Sequence, residues 1–194
     1  KRQFNMANNT IDIKTYYAEL ENAAKNSSPY YCYNEDREHN AAILSAMFST
    51  SNRIKMYCGS MSVFRKSFWD KIKNSSPIVQ IFKEKLNEFA GHENNSLEIV
   101  VENYPENGFG DFKFKDILSK MLEAKKLKLY KLGDSITFKE EIPHFTLASA
   151  CFVRVEQDKE NHSALCAINN EELMNSSEIY YSKLKEFANP VSDL

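Results

Sequence analysis

Between residues 38 and 132 the apolar residues change period repeatedly, from about 3.6 to 2 and back, and this alternation restricts the fold more than any other feature. Glu38–Ser49 predicts a helix, with Ala41, Ala42, Leu44, Ala46, Met47 and Phe48 making it apolar on more than one side. Arg53-Ile54-Lys55-Met56-Tyr57-Cys58 alternates polar and apolar residues, the signature of a strand, and Gly59-Ser60 ends it. An amphipathic segment over Phe64–Lys73 closes at Asn74-Ser75-Ser76-Pro77. A helix over Ile78–Ala90, with Gly91 as its stop, leads to a strand at Leu97–Val101. A loop over Tyr104–Asp111, a helix over Phe114–Ala124 and a strand over Leu127–Leu132 complete the series. Strands alternating with helices predict right-handed parallel crossovers.

From Pro143 the pattern changes. Three short strands follow, His144–Ser149, Cys151–Glu156 and Ser163–Ile168, with a polar turn over Gln157–His162 and a closing helix over Glu171–Ala188. Ahead of the alternating region lie a helix over Ile11–Lys25, stopped by Asn26-Ser27-Ser28-Pro29, and an extended piece at Tyr30–Tyr33. The prediction is α/β, one domain with a single mixed sheet flanked by helices over residues 34–188. A helical extension, 1–33, precedes it and a tail, 189–194, follows; Met6-Ala7 reads as a native start with residues 1–5 added ahead of it.

Composition narrows the function classes. The chain has 194 residues, 42% hydrophobic and 27% charged, which suits a globular domain rather than a disordered one. A net charge of −2 gives no global attraction to nucleic acid or to an anionic membrane. No apolar run approaches the roughly 20 residues that cross a bilayer, and Lys-Arg-Gln-Phe-Asn-Met has no apolar stretch of a signal peptide. Cys32, Cys58, Cys151 and Cys166 are far apart and form no Cys-x-x-Cys pair, so they read as reduced core thiols in a cytoplasmic protein. His39, His92, His144 and His162 lack ligand spacing, so neither a metal site nor a cofactor is predicted.

Chemistry concentrates near His144-Phe145-Thr146-Leu147. Strand alternation puts Phe152, Arg154 and Glu156 on one face and Val153 and Val155 on the other. Ionisable groups in such apolar surroundings are paired or functional. His144 reads either as a buried histidine bonded to a carbonyl or to Glu156, or as part of a site. Arg154 and Glu156 read either as a same-face ion pair or as ligand-binding groups. In a mostly parallel sheet ligands gather at strand carboxyl ends. Here those are Cys58-Gly59-Ser60-Met61-Ser62, Glu102-Asn103-Tyr104 and Leu132-Gly133-Asp134-Ser135. Gly59 permits close backbone approach, and Ser60 and Ser62 either cap the next helix or contact a phosphate. Gly-Ser after a strand also opens nucleotidyltransferases, but Asp70 is followed by Lys71-Ile72 rather than a second acid, which excludes that class.

The element order, together with His144-Phe145, Arg154-x-Glu156 and Asn169-Asn170, resembles one half of a phospholipase D-like fold in a divergent, motif-poor branch, over residues 34–188. Active members of that superfamily carry His-x-Lys, then an Asp, and a downstream Gly-Ser-x-Asn. Their His attacks phosphorus while Lys and Asn hold phosphate oxygens. His144 matches the first position, but Thr146 stands at the Lys, Cys151 at the Asp, and the hairpin reads Asp158-Lys159-Glu160-Asn161. The missing Lys removes charge that stabilises a phosphoryl transition state. The missing Asp leaves the imidazole unoriented unless another acid serves.

The resemblance therefore implies His144 and Glu156 as candidate catalytic residues, with Arg154, Gly59, Ser60 and Asn169 as candidate ligand contacts. It implies a catalytically degenerate domain acting as a phosphate- or nucleic-acid-binding or protein-interaction subunit, in a bacterial defence or mobile-element assembly. The alternative is a phosphodiesterase or nuclease active through His144 as a homodimer, since two motifs must meet; a third reading is a scaffold that uses the fold alone. The lysines 113, 115, 120, 125, 126, 128 and 131 read as a solvated edge, with a nucleic-acid contact as the other option. Tyr and Phe residues on the helices at Ile11–Ala24 and Glu178–Phe187 are the candidates for a protein partner.

Overall fold

The structure, a computed structural model, describes residues 12–34, 36–105, 107–133, 136, 142–158 and 163–191. Among them, eight strands form one sheet in the order β1-β7-β6-β5-β2-β3-β4-β8. The strands are β1 Tyr30–Asn34, β2 Arg53–Cys58, β3 Ser96–Val101, β4 Leu127–Leu132, β5 Phe145–Ala148, β6 Phe152–Asp158, β7 Ser163–Ile168 and β8 Ala188–Pro190. The pairs β2–β3 and β3–β4 are parallel, and the other five are antiparallel. This is the mixed α/β sheet predicted from the change of period.

The helices are α1 Ile13–Lys25, α2 Arg37–Thr50, α3 Lys66–Trp69, α4 Ile78–Gly91, α5 Lys115–Glu123 and α6 Glu171–Glu186. Side chains start three of them by accepting from an otherwise unpaired amide. Asp12 accepts from the Thr15 amide at 3.3 Å, Asp36 from His39 at 2.8 Å and Asn170 from Leu173 at 3.0 Å. One face of the sheet packs on α1, α2, α4 and α5, with Ile54, Met56, Leu97, Ile99, Phe152 and Cys166 pointing into that core. The other face offers Tyr57, Val100, Phe145, Leu147 and Val153 to Tyr181 and Leu184 of α6. The burial of Ala41 through Phe48 on α2 follows from its place between α1, α4 and the sheet.

Three segments depart from the sequence reading. Over Phe64–Lys73 the amphipathic period suggests a continuous helix, but the chain forms a 3-10 turn at Ser62–Phe64 and a single α turn, α3. Arg65 is extended between them (φ −76°, ψ 146°), bridges to Phe112, and lets Lys66 donate to the Asp111 carbonyl at 3.0 Å. The expected boundary after residue 33 falls inside β1, which is laddered to β7 while α1 packs into the main core. Likewise Ala188–Pro190 pairs with β4 as an edge strand, across the expected tail boundary.

β5 enters on the flank of β2 opposite to β3, so the strand order reverses at β2. The crevice at such a reversal is where open α/β sheets hold ligands. The carboxyl ends of β2, β3 and β6 and the amino end of β5 all meet at that edge.

Candidate functional site

His144 stands just ahead of β5, opposite Glu156 in the β5–β6 ladder; the Glu156 amide donates to the His144 carbonyl at 2.8 Å. Strand register therefore places the two side chains together, and His144 Nδ1 lies 2.8 Å from Glu156 Oε2. The other ring nitrogen, Nε2, lies 3.2 Å from Glu102 Oε1, and the Tyr57 hydroxyl donates to that same oxygen at 2.7 Å. An ionised carboxylate only accepts, so each imidazole contact needs a proton on the nitrogen or on the acid. Burial, with the bond to Glu102, pushes the Tyr57 phenol up and keeps it a donor.

Gly59 fits the space that this network leaves. A Cβ at residue 59 would stand 3.2 Å from His144 Cε1, 3.5 Å from Nε2 and 3.8 Å from Glu102 Oε2. Both imidazole nitrogens are held, so the ring has little freedom to yield. Gly59→Ala is expected to destabilise the fold by about 1–3 kcal/mol and to shift the His144 ring resonances in a ¹H–¹⁵N correlation spectrum. An unchanged spectrum with unchanged urea midpoint would show that the ring is not confined there.

Arg154 points to the same side. It is 7% exposed, and its Nη2 reaches Glu156 Oε1 only at 3.9 Å. Its Nε has no hydrogen-bond partner among the described residues. Burial lowers the guanidinium below its usual value, and Glu156 acts in the opposite sense. Thr146, at the lysine position of the His-x-Lys pattern, is the direct cross-strand partner of Arg154. A cation thus stands beside Thr146, delivered from the neighbouring strand. Arg154, Glu156 and His144 line a cleft of about 150 Å³ together with Gly59, Ser60 and Arg37. The Ser60 carbonyl accepts from Arg65 Nε at 3.1 Å, and Arg37 lies over the Phe68 ring at 5.3 Å.

A larger hollow, about 520 Å³, opens at the opposite edge between Ser51, Asn52, His92 and Ser149. Size does not choose between the two. The buried cation, the histidine and its acids line or adjoin the smaller one, and such convergence of ionisable groups is the better mark of a site.

No family model matches the sequence, and no curated protein sequence matches it. Solved structures do. A phospholipase D family member, Nuc from Salmonella typhimurium, aligns at TM-score 0.51 and 12% identity over 86% of this chain and 99% of that one. NucT from Helicobacter pylori aligns at 0.52 and 10% over 84% and 100%. The fold is phospholipase D-like. TrmBL2, an archaeal chromatin protein whose structure is described as showing a novel mode of DNA binding, shares it at 0.50 and 11% over 83% of this chain and 53% of that one.

On this phospholipase D-like frame His144, Glu156, Arg154, Gly59 and Ser60 come together. Asn169 does not. It follows β7, whose end lies beside the start of β6, so it sits across the sheet from Glu156. There its amide donates to the Cys151 carbonyl at 2.8 Å, and its side chain donates to the Ser27 carbonyl at 2.7 Å with φ at 55°. Asp134, Ser135 and the 159–162 part of the hairpin lie outside the described residues. Among the lysines, Lys126 donates to the Ala90 and His92 carbonyls and Lys128 pairs with Glu98 at 3.8 Å, as suits a crossover end. Of the aromatic residues on α1 and α6, Tyr16 and Tyr181 are core, while Tyr180 and Phe187 are exposed. No group of three or more His, Cys, Asp or Glu positioned to hold a metal ion occurs among the described residues, and no described helix is long and apolar enough to cross a membrane.

Glu102 is the site residue that sequence reasoning left without a role. Its signal was its place at the carboxyl end of β3. Its amide donates to the Cys58 carbonyl at 3.1 Å and that of Asn103 to Gly59 at 2.8 Å, so the β2–β3 ladder itself carries the carboxylate to His144.

Proposed function

We propose that this chain is a phospholipase D-like domain that binds a phosphate-bearing ligand in the His144 cleft and does not hydrolyse it. The observation that carries the reading is Arg154, a buried guanidinium lining the cleft with an unpartnered Nε and a long contact to its acid. Buried polar groups left without a bond are costly, and an anion is the natural partner of a guanidinium. At about 150 Å³ the cleft is below the roughly 300–1,000 Å³ of sites that enclose a whole small molecule. It suits one anionic group of a larger ligand.

Two further features argue against turnover. A histidine that attacks phosphorus must present a lone pair, and Nε2 here faces Glu102. Thr146 supplies none of the charge that a lysine would bring to the transition state. A nucleotide or a nucleic-acid terminus is the ligand class that fits, and the DNA-binding description of one fold neighbour agrees with that.

The test is titration of the protein with inorganic phosphate, a nucleoside monophosphate and a 5′-phosphorylated single-stranded oligonucleotide, beside Arg154→Met. Removing one member of a buried charged pair costs about 3–5 kcal/mol, so the urea midpoint of Arg154→Met is measured first; Glu156 keeps its bond to His144 in that variant. The variant is expected to fold and to bind about 10- to 100-fold more weakly, the loss of one charge-assisted bond of about 1.5–3 kcal/mol. Equal affinity of the two proteins would sink the binding role. Hydrolysis of bis(p-nitrophenyl) phosphate that disappears in His144→Ala would replace this reading with the phosphodiesterase one.

A further inference from the structure

A second chemical feature lies outside the cleft, on β1 and β7. Cys32 and Cys166 are direct partners across these antiparallel strands, and both are free thiols. Backbone bonding fixes their spacing. The Glu156 amide bonds to β5 through the His144 carbonyl, and the Asn169 amide bonds to the Cys151 carbonyl. Alternation then turns the backbone groups of Arg154 toward β5, so its pair with Cys166 is a non-hydrogen-bonded one. Cys166 consequently turns its own amide and carbonyl toward β1. Cys32 and Cys166 form a hydrogen-bonded pair, whose Cα atoms stand about 5.5 Å apart, within the roughly 4.4–6.8 Å that a disulfide spans.

The two sulfurs differ in environment. Cys32 is half-buried on the edge strand, and the Tyr16 hydroxyl lies 3.1 Å from its sulfur. Its neighbours, Cys166 first and then Tyr16, lower the Cys32 thiol, against the opposing effect of burial. Cys166 is fully buried, which pushes its thiol well up. Such asymmetry separates an attacking thiolate that solvent can reach from a resolving thiol held against it.

We propose that Cys32 and Cys166 are an oxidisable dithiol that closes to an intramolecular disulfide with hydrogen peroxide. The Cys32 thiolate attacks one peroxide oxygen, the O–O bond breaks, and hydroxide leaves as Cys32 becomes a sulfenic acid. Cys166 sulfur then attacks Cys32 sulfur. The S–S bond forms, the S–O bond breaks, and the displaced hydroxide takes the Cys166 proton as water. Two thiols lose two electrons in all, and the peroxide is reduced to two waters. Cys58, whose thiol burial pushes up to about 12, and Cys151, also raised by burial, serve as internal controls.

The experiment treats the folded chain with hydrogen peroxide, quenches it, unfolds it in iodoacetamide and maps the peptides by mass spectrometry. The alkylatable thiols are expected to fall from four to two, with one linked Cys32–Cys166 peptide that dithiothreitol releases. Cys166→Ser should stop at a Cys32 sulfenic acid that dimedone traps, and Cys32→Ser should protect Cys166. Four alkylatable thiols after treatment, oxidation of Cys58 or Cys151 ahead of Cys32, or a linkage between two chains would each overturn the proposal.

Discussion

Phe82→Ala is expected to lower the free energy of unfolding by about 3–5 kcal/mol, a large share of the roughly 5–15 kcal/mol that holds a domain folded. Phe82 is fully buried on α4 and is the hub of an aromatic cluster. Its ring meets Trp69 edge-on at 4.8 Å and Phe48 edge-on at 5.7 Å, and it stacks on Phe114 at 5.3 Å. Each neighbour comes from a different element, so no single side chain can move into the space without opening another. Trp69 is further fixed by its indole donating to the Val63 carbonyl at 2.8 Å. The cluster ties the irregular 62–69 segment to α2, α4 and the start of α5, which is why an alanine here should loosen the loop beside the cleft as well. Urea unfolding followed by tryptophan fluorescence would measure the change; a loss below about 1 kcal/mol would show that the site collapses.

Glu156→Leu is expected to cost about 3–5 kcal/mol, the usual result of removing one member of a buried charged pair. The side chain is 11% exposed and lies between His144 Nδ1 and the Arg154 guanidinium. Its loss leaves a buried cation facing apolar groups and an imidazole nitrogen without its acid. Combining the change with Arg154→Met should recover more than half of the cost, because the second change removes the charge that the first strands. A double-mutant cycle in urea measures that coupling. Additive losses would mean that Arg154 keeps enough solvent not to need Glu156.

The alternating periods between residues 38 and 132 made the sheet readable, because strand and helix faces there are set by burial on a regular lattice. The 62–73 segment was not readable in the same way. Its breaks depend on Phe112 and Asp111, which reach it only through the folded chain. Register alone brought His144 opposite Glu156, and side-chain alternation alone put Arg154 beside it; both are local consequences of a hairpin. Glu102 required knowing that β3 lies next to β2 while β5 lies on the other side, an arrangement no local pattern encodes. Asn169 illustrates the converse. The family resemblance offered it as a ligand contact, yet the antiparallel direction of β6 and β7 places that end across the sheet from Glu156. The fold motif was legible where function follows pattern, and the unpartnered nitrogen of Arg154 emerged only from packing.

β1 is synthesised well before its neighbour within the sheet, β7, which follows more than a hundred residues later. Until β7 emerges from the ribosome, Tyr30-Tyr31-Cys32-Tyr33-Asn34 is a strand-forming stretch with no charge and no ladder. β5 and β6 must also be in place before the edge can close, so early β2–β3–β4 pairing builds a half-sheet that waits for its other half. Nascent or truncated chains ending before residue 163 would carry that aromatic strand unsheltered, and their fate would be set by chaperone capture or aggregation rather than by the stability of the finished domain.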